Sequence, residues 1–349
     1  MKPLDFRSDT VTRPTAAMRE AMATAEVGDD VFGEDPSVLA LQRRTAELLG
    51  KEAALFVPSG TMSNQIGVRL HCGPGDEFLC ESCCHIFNYE QGAYAQLSGI
   101  AAYPVETPGG VPRIEQLTGR IRPDDPHLVR TKLLCLENTF NRGGGRVLPY
   151  DDVAEVCRWA HDNGLTTHLD GARIFNAVVA TGISAADWAA HFDTVSVCFS
   201  KGLGAPVGSA IVGPHDLIDN ALRVRKLFGG GMRQAGVIAA AALYALDHHL
   251  DRLVDDHRGA QRIAEAVGRC EGLHLRGGRA ESNIVIFDVD GPAGANYTFV
   301  DALKAEGVLA LSIGHTSVRL VTHLDVSEND AVTAAAAIER VYASLTARA

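Results

Sequence analysis

The chain has 349 residues, 46% hydrophobic and 21% charged, which excludes a disordered or fibrous protein and allows one large domain or two linked ones. A net charge of −11 with no basic block argues against nucleic acid and acidic membrane surfaces as partners. No apolar run approaches the ~20 residues that span a bilayer, the opening MKPLDFRSDTV lacks a signal-peptide core, and eight scattered cysteines fit reduced thiols, so a cytoplasmic protein is expected.

The first clear element is a helix. Asp35 is a good N-cap, Pro36 suits the first helical position, Val38, Leu41, Thr45 and Leu48 recur at helical spacing, and Gly50 ends the run. Next, the apolar ALFV (54–57) leads into PSGTMSNQ (58–65). Ser59-Gly60-Thr61 reads as a turn opening a second helix, with Met62, Ile66 and Leu70 inward. Free N–H groups at such a start suit a phosphate, although a plain N-cap reads the same way. CESCCH (80–85) offers three cysteines and His85, but no second ligand pair follows, so buried thiols are expected rather than a metal site.

LLCLEN (133–138), LTTHLD (165–170), VSVCFS (195–200) and SAIVG (209–213) read as buried strands. The segment 151–164 reads as a helix between two of them, capped by Asp and Gly. Strand–helix–strand units imply an α/β fold with a mostly parallel sheet, whose ligands bind beyond the carboxyl ends of the strands. The residues there are Glu137-Asn138, Asp170-Gly171-Ala172-Arg173 and Ser200-Lys201. RKLFGGGMRQAG (225–236) is a glycine run before an Ala-rich helix. It places Lys226 and Arg233 near a flexible backbone that also suits a phosphate. Beyond residue 250 the pattern changes to helix, strand (282–289), helix and strand. The expected division is an N-terminal arm (1–14), a large domain (15–250) and a smaller C-terminal α+β domain (251–349).

Taken alone, Asp170 and Arg173 suggest a structural ion pair, and Lys201 a loop charge. Together with Ser59-Gly60-Thr61 they form what pyridoxal phosphate needs: an amine for a Schiff base, a carboxylate that keeps the ring nitrogen protonated, and a phosphate cradle.

The segments RSDTVTRPT (7–15), GDDVFGEDP (28–36), PSGTMSNQ, LENT (136–139), HLDGARIFNAV (168–178), SKGLGAPVGS (200–209), GGGMRQAG (229–236) and VRLVTHLD (318–325) resemble the low-specificity L-threonine aldolase family. Its members are aspartate-aminotransferase-like, fold-type-I pyridoxal-phosphate enzymes. The resemblance implies cleavage of L-β-hydroxy-α-amino acids (threonine, allo-threonine) to glycine and an aldehyde. It implies Lys201 as the Schiff-base amine, Asp170 at the pyridine nitrogen and His85 stacked on the ring. Ser59, Gly60, Thr61 and Ser200 fall at the phosphate, and Arg173 near the ring and the substrate carboxylate. Ser8 and Arg319 also hold that carboxylate. Arg233 and Lys226 reach a phosphate in a neighbouring subunit of a homotetramer built from dimers.

Two positions depart from the family pattern. Phe140 stands in ENTFN where a histidine is usual, and Phe32 where tyrosine is usual. Both are expected to line a more apolar substrate pocket that favours bulky or aromatic substrates such as phenylserine over threonine. The group that takes the hydroxyl proton is then His85, an ordered water or another residue. Rival readings are another reaction on the same fold, such as β-elimination or glycyl transfer, and a non-catalytic binding protein.

Overall fold

The computed structural model describes residues 3–107 and 109–347, so the first two residues of the N-terminal segment lie outside the described residues. The chain order of strands is β1 (Leu4–Asp5), β2 (Ala53–Val57), β3 (Asp76–Glu81), β4 (Ala101–Val105), β5 (Arg130–Glu137), β6 (Thr166–Gly171), β7 (Thr194–Cys198), β8 (Ser209–Gly213), β9 (Leu273–Leu275), β10 (Ile284–Val289), β11 (Val308–Leu309), β12 (Leu311–Ile313) and β13 (Ser317–Val321).

Seven strands form one sheet in the order β2-β8-β7-β6-β5-β3-β4. Only β8 runs against the rest, pairing antiparallel with β2 and β7. The four other pairings are parallel. Strands β3, β7 and β8 are buried along their whole length, as a sheet covered by helices on both faces requires. Phe56, Phe78 and Phe199 are fully buried in this part, each contributing about 1.5–3 kcal/mol. Because β2, β3, β5, β6 and β7 share one direction, their carboxyl ends meet at one edge.

The expected helices form with small differences. Pro36–Leu48 is capped by Asp35, whose carboxylate accepts from Ser37 and Val38 N–H. Gly60–His71 is capped by Ser59. Tyr150–Asp162 corrects the sequence reading, since Pro149 holds the N-cap and the aspartates lie in the first turn. They still favour the helix through its dipole.

A second sheet, β12-β13-β10-β9, is wholly antiparallel. Helices Leu253–Gly268 and Glu328–Thr346 pack beside it over a separate hydrophobic core that includes Phe287, Phe299 and Leu320. The N-terminal segment is tied to this part: β1 pairs parallel with β11, and Phe6 is buried in the second core. Val321 N–H donates to Phe6 O at 2.8 Å. The chain then turns back, so that residues 8–11 cross to the carboxyl edge of the large sheet.

Candidate active site

Two cavities, of about 300 and 340 Å³, lie at that edge and share Thr10, His85, Asp170, Ala172 and Lys201. Ser59, Gly60, Thr61, Asn64 and Ser200 line the first. The Ser59 hydroxyl accepts from Met62 N–H at 3.1 Å. The N–H groups of Gly60 and Thr61, in the first turn, have no intrahelical partner. A Cβ at Gly60 would lie 2.6 Å from Cys198 Sγ, so only glycine fits this close approach.

Asp170 sits at the end of β6, 2% exposed. Its Oδ2 accepts from Asn64 Nδ2 at 2.9 Å and its Oδ1 from Ala172 N–H at 3.1 Å. Asn64 Nδ2 also donates to Glu90 Oε1 at 2.8 Å, and its Oδ1 lies 3.2 Å from His168 Nε2. His85 Nδ1 is 2.9 Å from the same Glu90 Oε1. Burial pulls the His85 pKa down, but the Glu90 hydrogen bond and the charges of Asp170 and Glu90 outweigh it, so the net shift is upward. Burial, then the charge of His71, lowers His168 on β6 to about 3, although Asp170 and Thr194 pull the other way.

Glu137 ends β5 beside Asp170. Its carboxyl accepts from His85 N–H at 2.6 Å and from Asn141 N–H at 3.0 Å. Burial, then the Asp170 charge, raises it to about 7.

The second cavity is lined by Ser8, Tyr89, Glu137, Arg142, Arg173, Leu311, Ile313 and Arg319, among others. Arg173 does not pair with Asp170, contrary to the simplest reading of DGAR. Its Nε and Nη2 each donate at 2.7 Å to the buried Asp9, 164 positions away. Burial opposes the ionisation of Asp9, but Arg173 and Lys201 hold its carboxyl well below the usual range. Asn283 Nδ2 donates to the same carboxylate at 3.1 Å. Arg319 donates to Asn141 Oδ1 and Arg7 O, while its buried Nε has no partner among the described residues. Burial, then the charge of Arg173, brings Arg319 down to about 10. Arg142, Arg173 and Arg319 all line this cavity, and with Asp9 already committed to Arg173 their positive charge suits a carboxylate ligand.

The expected residues therefore divide. Lys201, Asp170, His85, Ser59, Gly60, Thr61 and Ser200 line the first cavity, and Ser8, Arg173 and Arg319 the second. Phe140 is a correction. Its ring is 4% exposed, packs into the large core beside Leu148, and lines neither cavity. The physical reason is local: β5 ends at Glu137, Phe140 pairs through its backbone with Arg146 ahead of the turn Asn141–Gly143, and its ring packs against Gly110, Gly143 and Leu148. Phe32 also lines neither cavity and is 74% exposed. Arg233 pairs with Asp29 at 3.2 Å and Lys226 is exposed, and neither lines the cleft within the chain. Cys80, Cys84 and Cys135 pack together as apolar core, whereas Cys83 is exposed, which corrects the expectation of a buried thiol there. No sequence motif marks Glu90, and the partnership of Asp9 with Arg173 has no local signal. Asn64 and Glu137 lie inside motifs but show their roles only in three dimensions.

Residues 5–290 match the family model described as beta-eliminating lyase. The chain is 44% identical over 334 residues to low-specificity L-threonine aldolase of Escherichia coli K12, covering 95% of this chain and 97% of that protein. It is 42% identical over 337 residues to low-specificity L-threonine aldolase 1 of Arabidopsis thaliana, covering 95% and 94%. In fold it is similar to Leishmania major threonine aldolase, with a TM-score of 0.84, 21% identity and coverage of 97% and 100%. It is also similar to Sphingomonas wittichii serine palmitoyltransferase, with a TM-score of 0.78, 17% identity and coverage of 99% and 88%. The architecture is thus the fold-type-I arrangement expected from the sequence. By extent and identity of match, the chain belongs to the beta-eliminating lyase family and, within it, to the low-specificity L-threonine aldolases.

Proposed function

We infer that this protein is a pyridoxal-phosphate-dependent lyase that cleaves L-β-hydroxy-α-amino acids, threonine and allo-threonine among them, to glycine and an aldehyde. One observation carries the reading. Lys201, Asp170 and the Ser59–Thr61 helix start line one cavity, which joins at Lys201 and Asp170 a second cavity bearing Arg173 and Arg319. The donor set fits the cofactor. Lys201 would hold its aldehyde group, Asp170 its ring nitrogen and His85 its ring, and Ser59, Gly60, Thr61 and Ser200 would hold its phosphate. When bound, pyridoxal phosphate supplies the electron sink for the breaking Cα–Cβ bond.

The chain's own residues do the rest. Arg173 and Arg319, with Ser8, hold the substrate carboxylate and so orient the Cα–Cβ bond. Asn64 fixes the Asp170 carboxylate in position. Glu137, at the second cavity, is placed to take the hydroxyl proton and His85 to donate one, and Lys201 would supply the amine that holds the cofactor as glycine leaves. Tyr89, Leu311 and Ile313 surround the β-substituent. They support broad specificity that includes bulky substrates such as phenylserine, which no longer rests on Phe140 or Phe32.

The same reading divides the chain at about residue 250, supported by the two separate cores. Exposed Val31, Phe32, Leu227 and Val237 support assembly into a homotetramer that covers them and brings Lys226 and Arg233 to a neighbour's site. Eight unpaired thiols support a reducing, cytoplasmic setting. No helix among the described residues is long and apolar enough to cross a membrane.

The test is to incubate the cofactor-loaded protein with L-threonine, L-allo-threonine and phenylserine and to quantify products. Glycine with the matching aldehyde is expected. Ammonia with a 2-oxo acid would replace this reading by β-elimination.

A further inference from the structure

Glu90 has no part in the reading so far, yet its side chain is fully buried beside the cleft. A buried carboxylate is costly unless donors surround it. Glu90 has three: Asn64 Nδ2 at 2.8 Å, Gln65 Nε2 at 2.5 Å and His85 Nδ1 at 2.9 Å. Two of these donors are amides on one helix, Gly60–His71, so the carboxylate is held from the same element that opens the cofactor cavity. His85 is gripped a second time through its backbone N–H by Glu137. Its ring therefore has one orientation, with Nδ1 turned to Glu90 and Nε2 left for the cleft.

Charge balance decides the protonation state. One oxygen from each of Glu90 and Asp170 and a ring nitrogen of His85 lie within 4.8 Å of one another. The groups facing the imidazole are these two carboxylates and Lys201, with Glu137 at its backbone and the Tyr89 ring 5.7 Å away. Asp170 is matched by the cofactor's ring nitrogen. Glu90 has only amides and His85, so a positive imidazole completes the balance.

Building on the aldolase reading, we propose that Glu90 is a positioning residue that locks the His85 ring through Nδ1 and keeps it an imidazolium. His85 then works through Nε2–H as a hydrogen-bond donor and acid, and the hydroxyl proton goes to another group. Asn64, bonded to both Glu90 and Asp170, makes the His85 and ring-nitrogen sites one hydrogen-bonded unit.

The experiment is a titration of [13Cε1]-histidine-labelled holoprotein by NMR, with the His85 signal assigned from its loss in His85→Gln. In the wild type the His85 midpoint is expected above the ordinary value of about 6.5, and in Glu90→Gln it falls by about one unit or more. The alkaline limb of the kcat/KM profile moves down with it. In a His85→Gln background, Glu90→Gln adds no further shift of that limb. A wild-type midpoint below the ordinary value would overturn the proposal even if Glu90→Gln fails to fold. So would an unchanged midpoint in Glu90→Gln, or a loss of activity uniform across pH with both limbs in place. The titration needs no substrate, so absence of glycine release in the wild type would sink the aldolase reading separately.

Discussion

The two halves of the cleft are built in opposite ways. The cofactor half comes mainly from short contiguous segments, each following a strand of one sheet: Ser59–Thr61 after β2, Asp170 on β6 and Ser200-Lys201 after β7. The substrate half gathers Ser8, Glu137, Arg173, Ile313 and Arg319 from both ends of the chain and from both sheets. A half made by one sheet edge is pre-organised once that sheet folds. A half made by remote segments depends on how the second sheet and the N-terminal segment dock, through β1 on β11 and Asp9 on Arg173. Cofactor retention and substrate affinity should therefore separate under mutation.

The largest separation is expected at Lys201. Lys201→Ala should lower kcat by about a thousandfold or more and abolish the bound-cofactor absorbance band, because no other amine among the described residues lines either cavity. A variant that keeps the band and the rate would break the cofactor half of the comparison.

Second in size is a pH effect on stability, carried by histidines behind the cleft. His168 Nδ1 and His71 Nε2 share the Thr194 hydroxyl at 2.8 and 2.9 Å. Burial lowers His168 to about 3 and His71 to about 4. A folded pKa below the unfolded value means that the stability is present above about 6.5 and is lost as pH falls toward 4. Each histidine then costs on the order of 3 kcal/mol at pH 4. Glu137 runs the other way, since burial raises it to about 7 and its contribution is lost as pH rises through that value. Chemical denaturation at pH 7 and pH 4.5 should show the acid loss, and His71→Asn should reduce it. Equal midpoints for wild type and variant at pH 4.5, relative to pH 7, would count against the assignment.

Third, Arg319→Gln should raise KM for threonine about 10–100-fold while leaving the cofactor band in place. If the band disappeared as well, the two halves would not be separable.

The smallest effect is expected at Phe140. Because its ring lies in the core, Phe140→Leu should change kcat/KM for threonine by less than about twofold, with some loss of stability. A large change in the threonine to phenylserine ratio would return Phe140 to the substrate pocket.

The same contrast explains what was legible in the sequence. The parallel strands, the Ser59-capped helix and the lysine after β7 are local patterns, and each formed where expected. The pairing of Arg173 with Asp9 was not legible, because a charged residue carries no sign of which distant carboxylate it will meet. Asp170, three positions from Arg173, was the nearer candidate but is held by Asn64. Arg319 looked like an outward residue on a strand, and only the docking of residues 7 and 141 over it turns the guanidinium into the cleft. Phe140 was not legible either, because it lies beyond the end of β5, where strand alternation no longer says which way a side chain points. The motif ENTFN drew attention to residue type rather than to side-chain direction.

The central claim is that Lys201, where the two cavities meet, is the amine that carries the cofactor. Borohydride reduction of the holoprotein, followed by digestion and mass spectrometry, reads this directly. The account predicts the phosphopyridoxyl mass on Lys201. The same mass on Lys51, Lys132, Lys226 or Lys304, or on no lysine at all, would contradict it.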